Sequence, residues 1–171
     1  LSGRTVLPGF IETHNHLSIY ATNITKIDCS YPLNHTISDI RKQINKKAQD
    51  IEPGQWILGY GYDDTLIEDK KHLNIECLDD ISPFNPVFIM HISAHTAYVN
   101  SLALKISQID SKTPQPEGGV ISRDDKGVPN GILFEPGAMN LVGVNIPGYS
   151  LDQIKTLTEK AVKHFNTFGI T

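Results

Sequence analysis

The sequence predicts an α/β protein with parallel strands, and three observations carry that prediction. Two apolar runs, 55–60 (QWILGY) and 86–92 (PVFIMHI), have the composition of strands, the second continuous as in a strand buried on both faces. Amphipathic helical spacing alternates with them and is clearest over 151–168. A segment of different character, 118–134, reads as a β-hairpin and marks an insertion into the alternating pattern.

The elements follow in order. Residues 5–12 (TVLPGFIE) are an apolar run broken by Pro8 and Gly9, expected as a short buried strand leading into Thr13-His14-Asn15-His16. Residues 17–24 are weakly helical, and 26–28 suit a short strand. A helix is expected from about Thr36, with Ser38 as N-cap and Ile37, Ile40, Ile44, Ala48 and Ile51 on one face. Pro53-Gly54 ends it. The 55–60 strand leads into a loop at Gly61-Tyr62-Asp63-Asp64. Residues 65–85 are polar and irregular, with a short helix around 75–78. The 86–92 strand is followed by a helix expected over 98–106. In the hairpin, Asp124-Asp125-Lys126-Gly127 supplies the turn. The last helix carries an apolar stripe of Leu151, Ile154, Leu157, Ala161, Val162, Phe165 and Phe168. Gly169 then reads as its C-cap, with a further strand beginning after it. The first residues enter a strand without an initiator methionine, so both ends are expected to be cuts from a longer chain.

Composition narrows the function. The 171 residues are 39% hydrophobic and 20% charged with a net charge of −4, ordinary for a globular chain. There is no basic footprint for nucleic acid and no apolar run of membrane-spanning length, so neither partner is expected. Cys29 and Cys77 lack CxxC spacing, which removes a cysteine zinc site and fits a reducing, cytoplasmic setting. Asn23-Ile24-Thr25 and Asn34-His35-Thr36 match a glycosylation acceptor pattern, but no secretory segment gives them meaning.

His14 and His16 are the sharpest chemical signal. On a strand, side chains at i and i+2 share a face about 6.6 Å apart, so two imidazoles can converge on one cation. A bare H-x-H is more often a pair of surface histidines; the apolar Pro-Gly run before it shifts that balance. GRTVLPGFIETHNH resembles the opening metal motif of the amidohydrolase superfamily, with Glu12 where Asp is more usual. The segment 55–63 (QWILGYGYD) resembles the WI-x-G-x-GWD element of the branch related to N-substituted formamide deformylase, with Tyr62 in place of tryptophan. Residues 95–104 (HTAYVNSLAL) are similar to its H-x-x-x-VNS-x-AL element, with Ser93-Ala94 where Asp-Gly is usual. Gly118-Gly119-Val120-Ile121 together with 127–135 (GVPNGILFE) resembles its GG-x-I…G-x-PTG-x-L-x-E stretch.

The resemblance implies the N-terminal portion of an incomplete (β/α)8 TIM-type barrel. Residues 1–5 would be a remnant of a preceding β-sandwich strand, 6–171 the barrel portion, and approximately 25–135 an insertion containing the hairpin. It implies a divalent metal, one or two ions with zinc expected, held by His14, His16 and Glu135, the last as a possible bridge. Glu135 reads equally well as a solvated residue near a helix N-terminus. His95 and Asp63 are the substrate-binding candidates, against readings as an ordinary helix N-terminal residue and a turn aspartate. His91 is expected as a hydrogen-bonded core histidine and His72 as surface. The general base is expected beyond Thr171, so no catalytic residue falls within the chain. The implied activity is hydrolysis of carbon–nitrogen bonds other than peptide bonds, on a small molecule, by metal-activated water. A heterocyclic amine deaminase and a non-catalytic assembly fragment are the alternatives. Uncovered strand edges predict a homo-oligomer or edge-paired dimer.

Overall fold

A computed structural model describes residue 3 and residues 5–171. The expected sandwich remnant at 1–5 lies largely outside the described residues. Two compact units divide the chain: Leu1–Thr25 with Gly148–Thr171, and Lys26–Pro147.

The Lys26–Pro147 unit is built on a mixed sheet. Its strands are β1 (Ile27–Asp28), β2 (Ile57–Tyr62), β3 (Val87–His91), β4 (Thr96–Val99), β5 (Val120–Arg123) and β6 (Pro129–Phe134), in the order β1-β2-β3-β4-β6-β5. The first three are mutually parallel, whereas β4 lies antiparallel to both β3 and β6. The parallel strands and the hairpin are therefore present, together with a strand where a helix was expected. Residues 96–99 (TAYV) are β-branched or aromatic for the most part and pair with β3 and β6; the helix α4 (Ser101–Ile106) begins only after Asn100.

Alternation along the strands explains the apolar runs. Ile57, Val87, Ile89, Tyr98 and Ile132 face one core with Ile37, Ile40 and Ile44 of α2 (Ile37–Gln49) and Leu78 of α3 (Ile75–Leu78). Phe88, Ala97, Val99, Ile121 and Leu133 face a second core with Ala103 and Leu104 of α4 and Ala138, Met139 and Val142 of α5 (Glu135–Gly143). Both faces of the sheet are covered, so successive residues are apolar. Helix α2 is capped by Thr36, not Ser38. Its side chain accepts from the Asp39 amide, while the Asp39 carboxylate accepts from the Thr36 amide, a reciprocal box that satisfies two free donors.

In the other unit, α1 (Leu17–Asn23) packs on α6 (Leu151–Thr167) around Ala21, Leu157 and Ala161. Ser150 and Gln153 form a second capping box. Residues 5–12 do not form the expected buried strand. Only Phe10 pairs, as a parallel bridge to Ile170, and Phe10 and Ile11 are exposed. Pro8 cannot donate a ladder hydrogen bond, and the chain bends at Thr13 and His14 before α1 instead of extending.

Candidate metal centre

His14 and His16 lie just ahead of α1, with His16 at its N-cap position rather than on a strand. The Glu12 carboxylate accepts the His14 amide at 2.9 Å and fixes this turn. The two rings remain neighbours, 5.1 Å between centroids and edge to face, and both residues are exposed. Two imidazoles so close suit a borderline divalent ion, and nothing in this turn obstructs access to them.

The other candidates gather on the Lys26–Pro147 unit. Because β2, β3 and β6 run in one direction and β4 against them, the ends of the first three and the start of β4 share one edge of the sheet. Asp63, Asp64, His91, His95 and Glu135 all stand on that edge, which is where parallel α/β sheets place their ligands.

His95 and Glu135 are brought together. Nδ1 of His95 lies 2.7 Å from Glu135 Oε2, and the Glu135 amide donates to the His95 carbonyl at 2.7 Å. Glu135 has a φ of 63°, a left-handed conformation that glutamate adopts at a cost of roughly 1–3 kcal/mol. It is held there by close backbone packing. A Cβ on Gly137 would run into the Glu117 carbonyl, and one on Gly119 into the Ala138 amide, so these glycines let the start of α5 close onto the hairpin. The carboxylate takes Nδ1 and leaves the other ring nitrogen of His95 facing outward, with both side chains more than half exposed.

Asp63 and Asp64 follow β2, and His91 ends β3. One ligand atom from each lies within 4.8 Å of the others, the one such grouping among the described residues. Thr65 donates its amide (2.9 Å) and hydroxyl (2.6 Å) to Asp63 Oδ1. These bonds, chiefly the hydroxyl one, hold the Asp63 carboxyl below the usual carboxylate range, and the His91 ring adds to this. Asp64 Oδ1 lies 3.2 Å from His91 Nε2 and 3.4 Å from His72 Nδ1. His72 Nδ1 is also 2.8 Å from the Tyr98 hydroxyl. Burial pushes the Tyr98 hydroxyl up, with Asp64 and Asp63 adding to the effect, so it keeps its proton beside His72.

Sequence reading did not single out Asp64. His91 ends β3, largely buried and hydrogen-bonded through Nδ1 to Ser93, and His72 is exposed, as their sequence contexts suggested; both face Asp64. The available signal was positional: two adjacent parallel strands each end in acid or imidazole.

A mixed sheet covered by helices on both faces, with histidine and carboxylate side chains collected at one edge, defines an α/β protein. The chain belongs to the amidohydrolase family, whose sequence profile matches residues 1–171. It is 39% identical over 174 aligned residues to the N-substituted formamide deformylase of Arthrobacter pascens, covering all of this chain and 32% of that protein. It is 30% identical over 171 residues to the putative amidohydrolase YtcJ of Bacillus subtilis strain 168, with the same coverage. The chain thus spans about a third of the length of these curated relatives. Among solved structures, metal-dependent hydrolases from Pyrococcus furiosus (TM-score 0.59, 22% identity, 95% of this chain and 30% of that one) and Pyrococcus horikoshii OT3 (0.61, 19%, 96% and 30%) share its fold.

Proposed function

We propose that this chain is the N-terminal portion of an incomplete TIM-type barrel, with the segment at approximately 25–135 inserted. In the full-length protein it serves a metal-dependent hydrolase of carbon–nitrogen bonds other than peptide bonds, with an amide, formamide or cyclic amide as substrate. The observation that carries this is the 39% identity, across the whole chain, to an N-substituted formamide deformylase.

In this reading His14 and His16 are metal ligands and Glu135 is a third donor able to bridge to a second ion. A divalent ion, zinc by the nitrogen and oxygen donor set, would supply a Lewis acid and an acidic water. Neutral imidazoles at His14 and His16 donate their lone pairs, and Glu12 keeps their turn in place through the His14 amide. His95, oriented by Glu135, offers a ring nitrogen to the substrate, and Asp63 shapes the pocket wall. The remaining ligands and the general base belong to positions beyond Thr171, so the chain alone is inactive. A cytoplasmic location and a homo-oligomer or edge-paired dimer complete the reading.

Metal content measured by plasma mass spectrometry tests it, comparing the parent with the His14→Ala/His16→Ala variant after dialysis against a weak chelator. We expect the parent to retain more metal than the variant, by the amount that the His14 and His16 pair holds. Equal metal in both would overturn the assignment.

A further inference from the structure

We propose that Asp63, Asp64 and His91 form a second divalent-cation site, separate from the His14 and His16 pair and built wholly within the sheet unit. It goes beyond the reading above and does not depend on it.

The geometry begins with β2. A register irregularity between Gly59 and Tyr62 breaks the even parallel ladder, and Gly61 sits at a φ of 79°. Such bulges re-aim the residues that follow. Here they bring Asp63 and Asp64 toward the end of β3, where Tyr62 pairs with His91 and the Ile92 amide donates to the Tyr62 carbonyl at 2.8 Å. Two neighbouring carboxylates and one imidazole thus converge from adjacent strands.

An independent observation concerns His91. Its Nε2 is sealed from solvent and has no hydrogen-bond partner. Asp64 Oδ1 stands 3.2 Å away, at an angle that makes no hydrogen bond. A buried polar atom left unpaired costs about 1–3 kcal/mol, and such atoms are rare without a reason. The separation suits a shared ion, because two ligand atoms each about 2.0–2.1 Å from a tetrahedral metal lie roughly 3.3 Å apart. A cation would also relieve the repulsion between the adjacent carboxylates.

The far side of the ring is prepared for the same role. Nδ1 lies 2.8 Å from the Ser93 hydroxyl and 3.1 Å from the Ser93 amide. With the amide donating, the neutral ring carries its proton on Nε2. When an ion takes Nε2, the ring proton moves to Nδ1 and donates to the Ser93 hydroxyl, the Ser93 amide bond is given up, and the ring stays neutral. Nitrogen and oxygen donors without sulfur select a borderline ion such as Zn2+, Co2+ or Mn2+.

The test uses the full chain carrying His14→Ala/His16→Ala, titrated with Zn2+ by calorimetry and with Co2+ by visible absorption. We expect one equivalent to bind, with affinity lowered at least about tenfold by adding Asp64→Asn or His91→Gln. Far-UV circular dichroism confirms that each variant is folded, and the isosteric Asp64→Asn change keeps the core intact if His91→Gln does not fold. No binding at about 100 µM Zn2+ in the His14→Ala/His16→Ala background would overturn the proposal. So would binding indifferent to both added substitutions. Failure of the His14 and His16 assignment reads differently: the parent and the double variant would bind the same number of ions.

Discussion

Asn100 shows how a single residue of a recognisable motif serves the fold instead of the chemistry. It is buried, and its side chain uses all four hydrogen-bonding capacities. Oδ1 accepts from the amides of Val87 and Ala103, each at 3.0 Å, and Nδ2 donates to the carbonyls of Ser82 and Asn85, each at 3.0 Å. It caps α4, starts β3 and ties the preceding loop. Asn100→Ala leaves buried backbone groups unpaired and should cost about 3 kcal/mol or more, measured as a lower urea midpoint. A loss under about 1 kcal/mol would refute the structural role. Cys29 makes a second residue-scale prediction. Burial, with Asp28 adding to it, pushes its thiol up to about 12. The folded protein therefore keeps a proton that the unfolded chain gives up near the ordinary thiol value of about 8.5. Stability from this group is complete below that value and falls as pH rises from there toward 12. The parent should lose stability relative to Cys29→Ala between about pH 8 and 10, and Cys29 should resist alkylation until unfolding. Parallel stability curves for the two proteins would contradict this.

Among the elements, β2 matters most for the candidate site. Its bulge depends on Gly61, whose left-handed φ disfavours any side chain and whose added Cβ would stand 3.2 Å from Ser30 Cβ. Gly61→Ala should cost about 1–3 kcal/mol and displace the Asp63-Asp64 turn from His91. Chemical denaturation reads the first effect, and the chemical shifts of the His91 ring read the second. Unchanged shifts would mean that the bulge does not position the aspartates. Strand β4 teaches a different lesson at this scale. Residues 98–106 carry apolar spacing compatible with a helix, but Ala97, Tyr98 and Val99 are fully buried between two antiparallel partners. Sheet pairing outweighed the local helical pattern because burial on both faces rewards a strand there.

For the whole molecule, apolar exposure is the leading feature. Ile11 and Leu151 are 83% and 85% exposed, and Leu7, Phe10 and Phe168 each exceed half. Monomeric proteins rarely present so many large apolar side chains in one compact unit. Sedimentation at about 10–100 µM should therefore give a mass above 18.9 kDa. A monodisperse monomer across that range would count against the proposed oligomer.

What the sequence determined by itself was local. The short helix at 75–78, the hairpin and the end of α6 at Gly169 all follow from patterns within a few residues. The H-x-H pair was equally legible, since its two members are neighbours in the chain. Tertiary structure alone decided the rest. Asp64 meets His91, and Glu135 meets His95, only because parallel and antiparallel pairings bring distant strand ends to one edge. The direction and register of those pairings depend on burial summed over the whole sheet, which no short window of sequence contains.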